Sequence, residues 1–480
     1  MKKQTIIDKL KSDAHVFVIP TRARTVVLLV LAAAGLFLYS YVISLNLVIP
    51  LFLLCAASYL IAVRRELARP FELLHVALLY VLIVAAGYLV KTHGFSDLWI
   101  PFSVIPMLAV LLFNDRMLTF FLTVASAVTI APLTDEPMYM AVLFLISGLL
   151  AGILVFGARG RKPVIGAGII IGAAQVLAFF LIEKGSMLYP QRYLYFFLNG
   201  VISGIFVLGV LSIFESLFGT ITNISLLEMA DFNNPLLNRL MLEAPGTYHH
   251  SLIVGNLSEA ACKAVGANAL LARIGAYYHD IGKLQKSEYF TENQSMQQNV
   301  HETLAPNMSK LVIMNHIKEG MDLAKKYRLN RRITDFIQQH HGTSLVYFFY
   351  RRALESSQMH EEVTEEGFRY PGPRPKTKEI AVVLLADSVE AATRALKEPT
   401  PPQIEETVHK IINNKFIDGQ LDECDLTLKD LEIIAGVFSH ILSGMYHSRV
   451  NYPEAGRENN HKEPPKENPH QSPGNHAGNP

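Results

Sequence analysis

Cysteine is scarce in this chain: three in 480 residues, at Cys55, Cys262 and Cys424, with no paired or CxxC spacing. That excludes a disulfide framework and a zinc knuckle, and it fits a reducing compartment for the polar half. Charge is scarce too, at 18% of residues, and the formal net charge of +1 gives no footing for a nucleic acid polymer or an acidic partner. Strand alternation with hairpin turn signals is rare, and no internal repeat is visible. What the chain has in excess is apolar side chains: 50% of residues, too many for an ordinary soluble enzyme of this length.

The excess is confined to one half. From about Thr25 to Phe218 charges are few and apolar runs follow one another. Eight membrane helices are expected, at 25–43, 47–63, 73–90, 98–113, 117–133, 138–157, 164–183 and 195–218, the fourth and fifth short against the roughly 20 residues needed to cross hydrocarbon. The first run is long, lacks a small-residue cleavage site and is followed at once by another, so a cleaved leader is not expected. Basic residues set the orientation. Lys2, Lys3, Lys9, Lys11, Arg22 and Arg24 precede the first helix, Arg64, Arg65 and Arg69 follow the second, and Arg159, Arg161 and Lys162 follow the sixth. The alternate loops, Ser44–Asn46, Lys91–Asp97, Leu133–Pro137 and Lys184–Arg192, carry little positive excess. Both termini are therefore expected inside, on a multi-pass protein of the inner (plasma) membrane, with the second half cytoplasmic. No Asp, Glu, Lys or Arg falls in the middle of these helices, which argues against a transporter.

The second half reads as helical, from 3.6-residue amphipathic segments such as Leu252–Val265, Ala269–Tyr278, Val312–Tyr327, Arg331–His340, Glu379–Leu396 and Leu428–His447. Ser356–Lys378 reads as a loop rich in charge and proline, and the tail from Arg457 as a disordered polar segment. The expected organisation is a short amino-terminal segment (1–24), a polytopic helical membrane domain (25–218), an all-helical domain (219–455) and the tail (456–480): an all-α chain.

Seven residues of the helical domain read as one metal site: His250, His279, Asp280, His316, His340, His341 and Asp387. All are imidazoles or carboxylates, which suit Mn²⁺, Fe²⁺ or Zn²⁺. A lone histidine is seldom a ligand, and His301, His360, His409 and His447 read as ordinary polar residues; so do His461, His470 and His476 in the tail. Context sets the seven apart. In "AYYHDIGKL" a His-Asp pair ends an apolar helix, and Gly282 is expected to let the chain turn sharply. In "QQHHGTS" two imidazoles end another helix. Asp387, in "VVLLADSVEAATRAL", is a carboxylate in an apolar helix, costly to bury without a cation. Of the neighbours His249 and His250, only one is expected to be a ligand.

The order His, His-Asp, His, His-His, Asp resembles the HD-domain metal-dependent phosphohydrolases. "LLEMADFNNPLLNRLMLEAPGTYHHSLIVGNLSEAA", "LLARIGAYYHDIGKLQKSEYFTENQ", "QHHGTSLVYFFY" and "DGQLDECDLTLKDL" are similar to the seven-transmembrane HD family, of which the PgpH-type cyclic di-AMP phosphodiesterases of bacteria are the best-known class. The resemblance selects His250 over His249. It implies one metal held by His250, His279, Asp280 and Asp387 and a second by Asp280, His316, His340 and His341, with Asp280 between them. The implied cofactors are two divalent ions, manganese or iron. The implied reaction is attack of an activated water on cyclic di-AMP to give linear pApA, with Asp280 and Lys283 catalytic and Lys283 and Thr343 contacting substrate. Partners would be the cyclic dinucleotide and the lipid bilayer, with a homodimer allowed. Two alternatives are an HD hydrolase of cyclic di-GMP or (p)ppGpp, and a non-catalytic nucleotide-binding receptor. The absence of a Gly-Tyr-Pro signature after His340-His341 counts against cyclic di-GMP, and the complete ligand set against the receptor. Larger members of the family carry an extracellular domain between the first membrane helix and the other seven. Here Ser44–Asn46 alone joins the first two helices, which leaves extracellular sensing without a domain to perform it.

Overall fold

The computed structural model of the chain describes residues 70–184, 190–294, 300–356, 363–397 and 399–447. The membrane helices expected at 25–43 and 47–63, the amino-terminal segment, the tail, His360, His461, His470 and His476 lie outside the described residues.

The described part of the apolar half is a helical bundle: α1 (Pro70–Thr92), α2 (Val104–Phe113), α3 (Arg116–Ile130), α4 (Pro137–Leu154), α5 (Arg161–Ile182) and α6 (Pro190–Phe218). Among the described residues, five stretches are long and apolar enough to cross a membrane, Leu74–Thr92, Arg116–Leu133, Pro137–Leu154, Arg161–Ile182 and Pro190–Phe218. The chain is a multi-pass membrane protein. The expected span 98–113 differs. A 3₁₀ turn at Asp97–Trp99 is followed by Pro101, and only the ten residues of α2 are α-helical, about 15 Å of rise against about 30 Å of hydrocarbon. Val104 to Leu112 are all buried among the longer helices, so α2 is a half-helix inside the bundle.

Helices α5 and α6 approach at small-residue stripes. A Cβ on Gly200 would lie 2.4 Å from the amide nitrogen of Gly172, and one on Gly168 would lie 2.6 Å from the carbonyl oxygen of Gly200. Two small-xxx-small pairs, Gly168/Gly172 and Gly200/Gly204, let the backbones meet where lipid gives no hydrophobic drive. At 29 residues α6 rises about 43 Å, more than the hydrocarbon needs, so its end carries the chain out of the membrane layer. There Glu215 accepts the Thr222 amide and the Ser225 hydroxyl, each at 2.7 Å, and sets the turn into α7 (Asn223–Met229).

The second half continues as α8 (Pro235–Glu243), α9 (Pro245–Ala264), α10 (Ala269–Tyr278), α11 (Pro306–Lys326), α12 (Arg331–Gln339), α13 (Tyr347–Ser356), α14 (Lys378–Arg394), α15 (Pro401–Ile417) and α16 (Leu428–His447). No strand occurs among the described residues; one isolated bridge pairs Leu345 with Arg369. Side-chain caps start the helices that matter most: Asn268 on α10, Asn330 on α12 and Thr377 on α14. One core joins α9, α14, α15 and α16; another joins α8, α10, α11 and α12. Three contacts tie the exit from the bundle to this half. Arg161 pairs with Glu228, Asn330 donates to the Thr220 carbonyl at 3.0 Å, and Tyr278 donates to the Met229 carbonyl at 2.7 Å.

Candidate metal centre

The seven expected ligands converge from five elements. His250 comes from the second turn of α9, His279-Asp280 from the end of α10, His316 from α11, His340-His341 from the end of α12, and Asp387 from the middle of α14. Two groups form, Asp280 with His316, His340 and His341, and His250, His279 and Asp387 with the same Asp280; in each, the candidate ligand atoms lie within 4.8 Å of one another. Asp280 is the shared member because its two oxygens point opposite ways. Its Oδ2 lies 3.1 Å from His279 Nε2 and 3.6 Å from His250 Nε2, and its Oδ1 lies 3.4 Å from His316 Nε2 and 3.6 Å from His340 Nε2. Asp387 reaches His250 Nε2 at 3.1 Å and His341 Nδ1 at 3.6 Å.

The ring orientations follow from the other nitrogens. Nδ1 of His279 donates to the Ala276 carbonyl and Nδ1 of His316 to the Ile313 carbonyl, each at 2.6 Å; Nδ1 of His340 is shared between the Phe336 and Ile337 carbonyls at 3.0 Å. A carbonyl can only accept, so these Nδ1 atoms carry the proton and the Nε2 lone pairs face Asp280. Nδ1 of His250 lies 2.5 Å from Glu390 Oε2. His279 Nε2 and Asp280 Oδ1 are buried and meet no hydrogen-bond geometry. The unpartnered His279 Nε2 and Asp280 Oδ1, with the Nε2 atoms of His316 and His340 turned toward the same carboxylate, make a donor set that fits divalent cations.

Burial opposes ionisation of Asp280, but His279 and Lys283 hold it well below the usual carboxylate range. Burial likewise opposes a charge on Asp387, and the His250 hydrogen bond with the field of His341 outweighs it, keeping the carboxylate ionised. His250 is opposed by burial yet raised to about 9 by Asp387 and Glu390, whereas burial pushes His316 down to about 4.

Lys283 stands beside the shared carboxylate, with Nζ 2.8 Å from Asp280 Oδ2 and 2.7 Å from Glu292 Oε1, and both carboxylates keep it charged against burial. Glu292 also accepts the Thr247 hydroxyl at 3.2 Å. These groups open on a cavity of about 610 Å³ whose wall includes Lys283, His341, Ser344, Tyr370, Arg394 and Lys415.

Several expectations are corrected. Thr343 is not in that wall. Gly342, at φ 55°, turns the chain so that the Thr343 amide donates to Gln420 at 2.8 Å and its hydroxyl accepts from Gln420 and Arg374. Ser344 lines the cavity instead. Gly282 is not a turn residue: a Cβ there would fall 1.8 Å from the His316 carbonyl oxygen, so glycine serves the close approach of the His-Asp segment to α11. His301 is more than an ordinary polar residue, being buried in the cavity wall with Nε2 donating to the Tyr289 carbonyl at 2.7 Å. His249 is exposed.

Four residues of the site were not read from the sequence. Glu390 carried a signal, lying three positions after Asp387 on one helix face. Glu292, Tyr370 and Lys415 carried none, since turns and a distant helix bring them in. Tyr370 stacks on His341 with ring centroids 4.3 Å apart.

Comparison with known proteins agrees with both halves. Residues 24–222 match the family described as 7TM receptor with intracellular HD hydrolase, and residues 247–392 match the HD domain. The chain is 44% identical over 324 residues to the cyclic-di-AMP phosphodiesterase PgpH of Bacillus subtilis, covering 66% of this chain and 45% of that protein. It is 38% identical over 363 residues to PgpH of Listeria monocytogenes, covering 74% of this chain and 50% of that protein. The crystal structure of the L. monocytogenes PgpH HD domain in complex with cyclic-di-AMP is 44% identical, covers 45% of this chain and 100% of that one, and superposes with a TM-score of 0.44. The chain thus spans about half the length of the curated relatives it matches.

Proposed function

We propose that this chain, which matches the family described as 7TM receptor with intracellular HD hydrolase over residues 24–222, is a membrane-anchored phosphodiesterase that opens cyclic di-AMP to linear pApA. The shared carboxylate carries the reading: Asp280 turns one oxygen to His279 and His250 and the other to His316 and His340, as a group between two cations would.

His250, His279, Asp280 and Asp387 would hold one cation, and Asp280, His316, His340 and His341 the other, manganese or iron. Such a pair supplies Lewis acidity, lowering the pKa of a water nucleophile and neutralising phosphate oxygens. The chain's own residues do the rest. Four imidazoles keep their outer nitrogens occupied, so the inner ones hold position without reorganising. The Lys283 ammonium, fixed between Asp280 and Glu292, donates to a non-bridging oxygen of the scissile phosphate as its charge grows. Water oxygen joins phosphorus, the bond to the 3′ oxygen breaks, and the 3′ hydroxyl leaves protonated, giving a 5′-phosphate. Aromatic faces in the cavity wall, Tyr289, Phe290, Phe348 and Tyr370, suit the stacking of nucleobases.

The membrane domain (25–218) would place the HD domain (219–455) on the cytoplasmic side, the orientation that Lys2, Lys3, Arg22, Arg64, Arg65 and Arg161 favour. A homodimer is compatible with this arrangement. The test is product analysis with the full-length chain in lipid nanodiscs and Mn²⁺, offered cyclic di-AMP, cyclic di-GMP and ppGpp. Preferential conversion of cyclic di-AMP to pApA is expected. Preference for another nucleotide would reassign the substrate, and no turnover of any of them would contradict the enzyme.

A further inference from the structure

Three lysine and arginine side chains stand in the cavity wall: Lys283, Arg394 and Lys415. Two are already paired, Lys283 with Asp280 and Glu292, and Arg394 with Glu390 at 3.3 Å. Lys415, on α15, has no ion pair among the described residues. Its Nζ donates only to the neutral hydroxyl of Ser344, at 2.7 Å. Asp418, a carboxylate near it in sequence, is engaged by Arg369 at 2.7 Å and 3.2 Å. Burial opposes the Lys415 charge, and the fields of Asp387 and Asp418 offset this only in part. A partly buried ammonium with a neutral partner, facing an open cavity, is a poor arrangement for stability and a good one for an arriving anion.

A cyclic dinucleotide brings two phosphodiesters on opposite sides of its ring, each carrying one negative charge. The candidate metal ligands and Lys283 account for one. We propose that Lys415 binds the other, the phosphodiester that is not being cleaved, and so selects a two-phosphate ring over single phosphodiesters. This rests on the proposed reading of the site as a cyclic dinucleotide hydrolase. Ser344 holds the ammonium on the cavity side, and its own backbone ties it to the functional wall: the Ser344 amide donates to the His341 carbonyl at 3.1 Å, and its carbonyl accepts the Tyr370 amide at 3.0 Å.

The same Ser344 contact supplies a rival role, in which Lys415 merely steadies the segment after His341. The two separate by substrate. Full-length wild type, Lys415→Met and Lys415→Arg in nanodiscs with Mn²⁺ would be assayed on cyclic di-AMP and on bis(4-nitrophenyl) phosphate, which has one phosphodiester. We expect Lys415→Met to lower kcat/KM for cyclic di-AMP about tenfold more than for the small diester, mostly through KM, the scale of one charged hydrogen bond. Lys415→Arg should recover most of that selectivity. Equal losses on both substrates would overturn the proposal while leaving the hydrolase reading intact. Wild type that cleaves the small diester but not cyclic di-AMP would overturn both. Should Lys415→Met fail to fold, Lys415→Gln, which keeps a donor and removes the charge, answers the same question.

Discussion

Glu390 holds Nδ1 of His250 at 2.5 Å and thereby turns the other ring nitrogen toward Asp387 and Asp280. Glu390 sits three residues after Asp387 along α14, so one helix supplies both a candidate ligand and the group that orients another. Partners of this kind set tautomer and basicity, and their loss costs about 10- to 100-fold in metal affinity or activity. Glu390→Gln should weaken Mn²⁺ binding within that range, read by calorimetric titration of the metal-free chain. Wild-type affinity in the variant would mean that Glu390 only fills space.

The histidines give the metal-free protein a pH optimum of stability. His250 has a folded pKa of about 9, above its unfolded value, so its contribution is complete below about 6.5 and is lost as pH rises through about 9. His316 has a folded pKa of about 4, below its unfolded value, so its contribution is present above about 6.5 and is lost as pH falls towards 4. Thermal melting of the metal-free chain in detergent should therefore show the highest Tm near pH 6–7 and decline on both sides. A Tm that climbs steadily from pH 6 to 9 would contradict the His250 assignment.

Lys283 touches the shared carboxylate and lines the cavity, so its loss should fall on the transition state. Lys283→Met should lower kcat by roughly 10²- to 10³-fold, as removal of one positioned donor does, with a smaller change in KM. A change confined to KM would make it a ground-state contact.

One hydrogen bond runs from the membrane exit to the neighbour of a candidate ligand. Tyr278, which precedes His279, donates to the Met229 carbonyl from a buried ring. Tyr278→Phe leaves that carbonyl without its partner and should cost about 1 kcal/mol of stability, seen as a lower midpoint in denaturant. An unchanged midpoint would show that the exit segment docks without it.

Much of this was legible in the sequence, unevenly. Helix α10 was read to the residue, Ala269–Tyr278, because an apolar 3.6-residue pattern runs between an asparagine cap and the His-Asp pair. Helices opening on proline began earlier than expected: α9 at Pro245 rather than Leu252, and α11 at Pro306 rather than Val312. In α9 the first turns bury polar side chains, Thr247, His250 and Ser251, which hydrophobic periodicity cannot register. The candidate ligands were legible because a His-Asp or His-His pair at the end of an apolar helix is out of place. Lys415 was not, since a lysine near the end of an amphipathic helix has an ordinary solvent-facing explanation, and only the packing of α15 against the Ser344 segment turns it inward.

The central claim is that Asp280 joins two cations in one site. Its most direct measurement is the number of Mn²⁺ ions retained per chain after equilibrium dialysis, by mass spectrometry, in wild type and Asp280→Asn. The account predicts two in the wild type, and one or none in the variant with its fold preserved. One ion per wild-type chain, or two undiminished in the variant, would contradict it.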